Sequence, residues 1–305
     1  MVSNQSMSSP PPEAAALSPH QREAPLREIV VFIDGHTKAG GILEFAGELA
    51  EEHGARLIGV FLQPEPTITP AETFARGTGM QRVSESHRSQ LERIDADYRA
   101  LFGDIVRRHG LRPESEWRSL VPSFSSDVGV HAYYADVVVI AQPRPEGRTD
   151  RPPGLAESLI LTSGRPIIMF PSVSTVSRIR RILVGWNARR ESIRAVADAM
   201  PALMKAEAVE VLVIDHERTA GHGQDPGADV ARHLARRGVK VETRRLSSAK
   251  EKEEVGRLLL SQAAIFGADL LVMGAYGHSQ LREWMFGSVT RTILREAGLP
   301  VLMSR

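Results

Sequence analysis

The chain has 305 residues, of which 42% are hydrophobic and 25% are charged, and its formal net charge is +1. This composition is typical of a water-soluble globular protein, and the length exceeds that of an ordinary single domain, so we expect two domains. The near-zero net charge argues against a nucleic-acid-binding protein, for which a strong basic excess is expected. Cysteine is absent, which excludes disulfides, thiolate metal sites and cysteine nucleophiles and fits a reducing cytoplasm.

The first segment, residues 1–26, is rich in Ser, Pro and Ala, and this composition predicts a disordered tail. It lacks a basic stretch followed by an apolar one, so we do not expect a secretory signal. No apolar run of the chain approaches the ~20 residues that span a bilayer. The expected location is therefore the cytoplasm, without membrane contact.

After the tail, short apolar runs alternate with helical patterns. A strand followed by a helix is predicted in REIVVFIDGHTKAGGILEFAGELA, which starts at Arg27. A charged amphipathic helix is predicted over 81–109, a strand in ADVVVIAQ from Ala135, and a closing strand in SGRPIIMFP from Ser163. The Ser-rich stretch at 173–177 is predicted to be a linker.

The same plan then recurs in the second half of the chain. RRILVGWNARRESIRAVADAMPAL from Arg180 repeats the first strand and helix, ADLLVMGA from Ala268 repeats ADVVVIAQ, and AGLPVLMSR from Ala297 repeats SGRPIIMFP. Strands are predicted at 182–185, 209–214, 239–244, 270–273 and 301–303, and helices at 191–205, 228–237, 250–266 and from about 288. Apolar strands without polar alternation indicate parallel sheets with helices on both faces. The predicted fold class is therefore α/β, with two tandem doubly wound domains at 27–172 and 178–305, each a five-stranded parallel sheet.

Three glycines follow the fourth predicted strand of the second half. Gly274 and Gly277 are separated by two residues, and Gly287, beyond nine further residues, is followed directly by Ser288. A glycine at a strand end lets the chain turn and lets a ligand approach the backbone. Backbone N–H groups of such a loop can hold an anion, and Ser288 is predicted to be the N-cap of the next helix, whose N-terminus favours phosphate. An ordinary strand exit with a capped helix would also use these residues, but the spacing favours two phosphate cradles at one strand end.

This spacing resembles the Gly-x2-Gly-x9-Gly-Ser/Thr ATP-binding loop of the universal stress protein family. RRILVGWNARRESIRAVADAM and GLPVLM are similar to the opening and closing segments of that family, and the two copies together resemble a tandem member. The resemblance implies an adenine nucleotide alpha-hydrolase-like fold in each half. It also implies that the second domain binds ATP or another adenine nucleotide, with or without Mg²⁺. The function it implies is stress response through nucleotide-dependent regulation or partner binding.

The resemblance also implies a set of nucleotide-binding residues. The glycines would contact ribose and phosphates through their backbone, Ser288 would hold phosphate, and Val213 and Ile214 would line the adenine pocket. Asn187 stands where the family has an aspartate near the adenosine, so a neutral amide replaces a carboxylate. The full predicted set is Asn187, Val213, Ile214, Gly274, Gly277, His278, Gly287, Ser288 and Val289.

The first half keeps the aspartate, as Asp34, but not the loop. Ala141 and Arg144 stand in place of the first two glycines, and Leu155 stands in place of the hydroxyl residue. Pro143 also removes a backbone N–H from this segment. We therefore expect the first domain not to bind ATP.

Other residue groups give weaker indications. Asp215, His216, His222 and Asp225 lie in a Gly-rich stretch without metal-site spacing, so a solvated loop is favoured over a metal centre. No general base, pair of acidic metal ligands or Gly-x-Ser-x-Gly motif is recognised, which favours a binding protein with at most weak ATP hydrolysis. A nucleotide-independent interaction scaffold and a slow ATPase stay open as alternatives. The resemblance further implies an intramolecular pseudo-dimer that pairs the closing strands, 167–170 and 301–303, with homodimerisation open.

Overall fold

The computed structural model describes residues 26–34, 39–64, 78–121, 128–143, 155–215, 226–247, 252–275 and 288–305. Strands and helices alternate through these residues. The strands are β1 (Glu28–Asp34), β2 (Arg56–Leu62), β3 (Glu116–Leu120), β4 (Val137–Ala141), β5 (Ile167–Phe170), β6 (Arg181–Trp186), β7 (Ala208–Asp215), β8 (Val241–Ser247), β9 (Leu270–Gly274) and β10 (Val301–Ser304). The helices are α1 (Ala39–His53), α2 (Thr78–Arg108), α3 (Leu155–Thr162), α4 (Arg190–Lys205), α5 (Pro226–Ala235), α6 (Lys252–Phe266) and α7 (Ser288–Glu296).

The described strands form one sheet in the order β3-β2-β1-β4-β5-β10-β9-β6-β7-β8. Neighbours within each set of five are parallel, whereas β5 and β10 pair antiparallel, with Leu302 opposite Ile168. Two five-stranded parallel sheets are thus fused through their closing strands. This arrangement confirms the predicted α/β class and the expected pairing of the closing strands.

The helices cover both faces of the sheet, because successive residues of a strand point to opposite sides. On one face, called the first face, strand residues such as Val184 and Val272 pack with α1, α2, α4 and α5. On the other, called the second face, residues such as Leu183 and Leu271 pack with α3, α6 and α7. None of the helices in the described ranges has the length and apolarity needed to cross a bilayer.

Strand β8 departs from the prediction of strands buried on both faces. It begins at Val241, two residues later than predicted, and residues 242–245 are exposed. The reason is its place at the edge of the sheet, where charged side chains discourage pairing with another strand.

Polar contacts join the two halves around their shared sheet. The Gln142 side chain donates a hydrogen bond to the Ala297 carbonyl at 3.1 Å. On the first face, Arg178 pairs with Glu48 of α1 at 2.8 Å, and the Lys205 ammonium donates to the carbonyl of Glu52. The start of the second half and α4 are therefore tied to α1 as well as to the sheet.

One buried carboxylate lies in the core of the second half. Glu210 of β7 is 3% exposed; one of its oxygens accepts a hydrogen bond from Arg244 Nε at 3.0 Å, and the other has no partner among the described residues. Ile58 occupies the matching position of β2. A half-satisfied buried ion pair is a weak contributor to stability, because desolvation offsets the attraction.

We therefore expect Glu210→Ile to raise the free energy of unfolding by about 1 kcal/mol, because Arg244, which is half exposed, can be solvated instead. Urea denaturation of the full chain measures the change. Glu207→Gln, which removes a partner from the exposed pair with Arg180, serves as the control and should change little. A loss of stability in Glu210→Ile would show that the pair is a net stabiliser.

Candidate functional site

The candidate site lies at the carboxyl ends of β6 and β9, which are neighbours in the sheet, with Gly185 paired to Met273. The chain runs from β6 through α4 to β7 on one side and returns through α6 to β9 on the other. Such a change of direction opens a crevice at the carboxyl edge of a doubly wound sheet, where ligands bind.

The turn between β6 and α4 carries Asn187. Its side-chain oxygen accepts a hydrogen bond from the Arg189 backbone N–H at 3.0 Å. Between them Ala188 adopts a left-handed conformation, with φ of 56°, which costs a residue with a Cβ roughly 1 kcal/mol. Gly35 stands at the matching place in the first half, and that difference between the repeats is the signal that sequence reasoning missed. The turn is thus held in a strained form that presents Asn187 at the strand end.

Helix α4 starts at this turn on the first face of the sheet. Its N-cap, Arg189, is extended (φ −94°, ψ 163°) and makes no side-chain capping hydrogen bond. The Ser192 hydroxyl donates to the Arg189 carbonyl at 2.9 Å, so it does not cap the N–H groups of the first turn. A helix N-terminus without a side-chain cap is suited to binding an anion.

Gly274 is the last residue of β9 and lies directly under this helix. A Cβ built on Gly274 would be 2.5 Å from the carbonyl carbon of Glu191 and 2.6 Å from the backbone nitrogen of Ser192. The sequence suggested that this glycine makes room for a ligand; the structure shows that it makes room for the backbone of α4. The glycine is therefore required for seating the helix next to Asn187.

Ser288 is the first residue of α7 and follows Gly287 in the chain. The sequence predicted it as the N-cap, but Ser288 lies within the described part of the helix, where it is partly exposed and is followed by Val289. The helix packs closely on α6: a Cβ on Gly256 would be 2.8 Å from Thr292 Cβ. Ile293 belongs to the second-face core, so α7 and α4 start at the carboxyl edge on opposite faces of the sheet.

The two predicted adenine-pocket residues also point to opposite faces. Val213 pairs with Trp186, is 8% exposed and belongs to the first-face core. Ile214 is partly exposed and packs with the second-face core, the side on which α7 lies. Their side chains therefore lie on opposite faces of the sheet and do not form one wall.

Two polar atoms at this edge are buried without a hydrogen-bond partner among the described residues. They are the indole nitrogen of Trp186, at the end of β6, and the hydroxyl of Ser304, at the end of β10. Ser304 is 2% exposed and lies beside Gly274 in the strand register. Sequence reasoning singled out neither, although Ile33 and Phe170 at the matching positions of the first half mark both as differences between the repeats.

Some predicted residues lie outside the described residues: Gly277, His278 and Gly287, with Arg144 of the first half. The same holds for His216, His222 and Asp225, which were weighed as metal ligands, and for the side chain of Asp215. Within the described ranges, no group of three or more His, Asp or Glu residues is placed to hold a metal ion. The described part of the site is therefore Asn187, Val213, Ile214, Gly274, Ser288 and Val289.

Comparison with known proteins agrees with this architecture. Residues 178–305 match the family model described as "Universal stress protein family". The chain is 51% identical over 37 residues to universal stress protein Slr1230 of Synechocystis, a match that spans 12% of this chain and 13% of that relative.

Two of the solved structures share the fold over nearly the whole chain. A universal stress protein from Archaeoglobus fulgidus aligns with 91% of this chain and 96% of its own, at 14% identity and a TM-score of 0.62. A putative universal stress protein from Pseudomonas aeruginosa aligns with 93% of this chain and 94% of its own, at 13% identity and a TM-score of 0.55. A universal stress protein from Archaeoglobus fulgidus in complex with dAMP aligns with 48% of this chain and 98% of its own, at 21% identity and a TM-score of 0.29.

Proposed function

We propose that residues 178–305 bind an adenine nucleotide, with ATP as the expected ligand, at the carboxyl ends of β6 and β9. The observation that carries this proposal is the convergence of two helix N-termini, those of α4 and α7, on the change of direction between these strands. Helix N-termini present free N–H groups and a positive dipole end, which suit phosphate.

The residues of the site fit such a ligand. Ser288, partly exposed in the first turn of α7, can donate its hydroxyl and backbone N–H to phosphate oxygens. The side-chain oxygen of Asn187 is engaged by Arg189, so its amide nitrogen supplies donors toward the nucleoside. The nucleotide's phosphates, rather than a carboxylate cluster, would hold any Mg²⁺.

The first half serves in this proposal as a companion domain without nucleotide. Ala141 ends β4 where Gly274 ends β9, and Leu155 begins α3 where Ser288 begins α7. The proposed division is a first domain at 27–172, a linker at 173–177 and a second domain at 178–305. Nucleotide occupancy of the second domain would regulate partner binding in a cytoplasmic stress response.

The test is an ATP titration by calorimetry with the wild-type chain and with Gly277→Arg, which copies the residue of the first half. We expect wild type to bind ATP and the variant to lose most of its affinity, because a bulky side chain replaces bare backbone in the predicted loop. Arg295→Ala, in the exposed last turn of α7, is the control for general damage to that helix.

The rival functions give different results in the same experiment. Absence of heat and of a thermal shift at millimolar ATP would contradict nucleotide binding and favour an interaction scaffold. Phosphate release that exceeds background in wild type and is lost in Gly287→Val would instead identify a slow ATPase.

A further inference from the structure

In each half a helix follows the first strand: α1 follows β1, and α4 follows β6. The two halves differ in the pair of residues that lies under this helix. In the second half this pair is Gly274 and Ser304, which are adjacent in the register of β9 and β10. In the first half it is Ala141 and Phe170, adjacent in β4 and β5. The same two positions are thus filled by small residues in one half and by larger ones in the other.

The small pair lies on the first face, beneath α4. Val272 and Leu302, each two residues before a member of the pair, belong to the first-face core, as do Ala195 and Ala199 of α4. Because side chains two apart on a strand share a face, Gly274 and Ser304 face the same helix. The contact is close enough that a Cβ on Gly274 would collide with backbone atoms of Glu191 and Ser192.

The large pair prevents an equally close approach in the first half. Phe170 is 4% exposed, its ring lies 5.1 Å from that of Phe45, and its edge would be 3.5 Å from a Cβ on Gly41. Both contacts belong to α1, so the ring separates this helix from the strand end. Ala141 carries the Cβ for which the second half has no space.

We propose that Gly274 and Ser304 form a seat for the start of α4, and that this seat positions the turn carrying Asn187 for ligand binding. Ser304 is then a positioning residue that acts through α4, and its size matters more than its hydroxyl. Phe170 and Ala141 remove the equivalent seat from the first half. The inference rests on the proposed nucleotide site and adds a determinant outside the glycine-rich loop.

The experiment varies the size and the polarity of residue 304 separately. Ser304→Phe copies the first half and should weaken ATP binding by about tenfold or more, because small displacements of binding groups are costly. Ser304→Val tests the same effect with a smaller side chain, in case the phenylalanine variant does not fold. Ser304→Ala keeps the space and should bind ATP within about twofold of wild type. Phe170→Ser, the matched change in the first half, should leave ATP affinity unchanged.

A second readout needs no nucleotide. Hydrogen exchange of the backbone at 187–193 should become faster in Ser304→Phe and Ser304→Val, because a displaced α4 loosens the Asn187–Arg189 hydrogen bond. In Ser304→Ala the exchange should stay as in wild type. If neither the hydrogen exchange at 187–193 nor the ATP affinity changes in Ser304→Phe and Ser304→Val, the proposed seat is wrong. Loss of affinity in Ser304→Ala would show that the hydroxyl itself contacts the ligand and would also overturn it. If wild type fails to bind ATP, the proposed function fails, and the exchange experiment still decides the seat.

Discussion

Gly274→Ala is expected to lower the free energy of unfolding by about 3 kcal/mol and to abolish nucleotide binding. The added Cβ would lie 2.5 Å from the Glu191 carbonyl carbon, and backbone atoms cannot move aside as a flexible side chain can. Forcing an atom into a packed region costs about 1–3 kcal/mol and sometimes more. Here the whole start of α4 has to shift, so the upper part of that range is expected. Urea denaturation measures the free energy of unfolding, and an ATP titration measures the nucleotide affinity.

Gly298→Ala is the matched control for that substitution. A Cβ on Gly298 would have no heavy atom within 4 Å, so we expect little change in stability and no change in ATP affinity. If Gly274→Ala were as stable as wild type, the close approach of α4 to β9 would be wrong.

The second large effect is expected on acidification, through His53 at the end of α1. This side chain is 5% exposed, and its Nδ1 has no hydrogen-bond partner among the described residues. Burial, and to a smaller degree the neighbouring Lys205 ammonium, lowers the pKa of His53 from 6.5 to about 4. The folded chain therefore holds the imidazole neutral at a pH where the unfolded chain protonates it.

The direction of the pH effect on stability follows from the linkage between protonation and folding. The unfolded state binds more protons than the folded state between about pH 6.5 and pH 4, so stability is fully present above this window and falls as the pH decreases through it. We expect a loss of about 2 kcal/mol between pH 7 and pH 5. Denaturant midpoints at the two pH values measure it.

His53→Gln provides the control, because glutamine does not titrate and should remove the part of the pH dependence that His53 contributes. His109 works in the opposite direction: burial alone would lower its pKa, but hydrogen bonds with Glu51 and Glu44, at 2.7 and 3.0 Å, raise it. That contribution is present below about pH 6.5 and is lost as the pH rises, so it does not imitate the His53 effect. If His53→Gln loses as much stability as wild type between pH 7 and pH 5, the loss does not come from His53.

Much of the fold could be predicted because each element carries its own periodicity. Helix α6 ends at Phe266 and α4 at Lys205, as the apolar spacing indicated, and β10 begins at Val301 as predicted. The 31-residue α2 also follows from its charged amphipathic pattern. Strand β8 was predicted, but its exposure was not, because a strand's place at the edge of the sheet depends on strand order, which no local pattern encodes.

For the candidate site, the sequence indicated a strand end but not the detailed geometry around it. Glycine spacing identified the end of β9, yet the contact between Gly274 and α4 joins residues more than 80 positions apart. The left-handed Ala188 breaks the usual preference for glycine in that conformation, so only the comparison with Gly35 of the first half could have indicated it. Ser304 and Phe170 became informative only when the register of β10 and β5 placed each beside its strand-end neighbour.

The most direct test of the central claim is the number of ATP molecules bound per chain at saturation, measured by equilibrium dialysis on the 305-residue chain. The predicted result is one, unchanged by Asp34→Asn in the first half and lost in Gly277→Arg in the second. A value of zero, or of two with one lost in Asp34→Asn, would contradict a nucleotide site confined to residues 178–305.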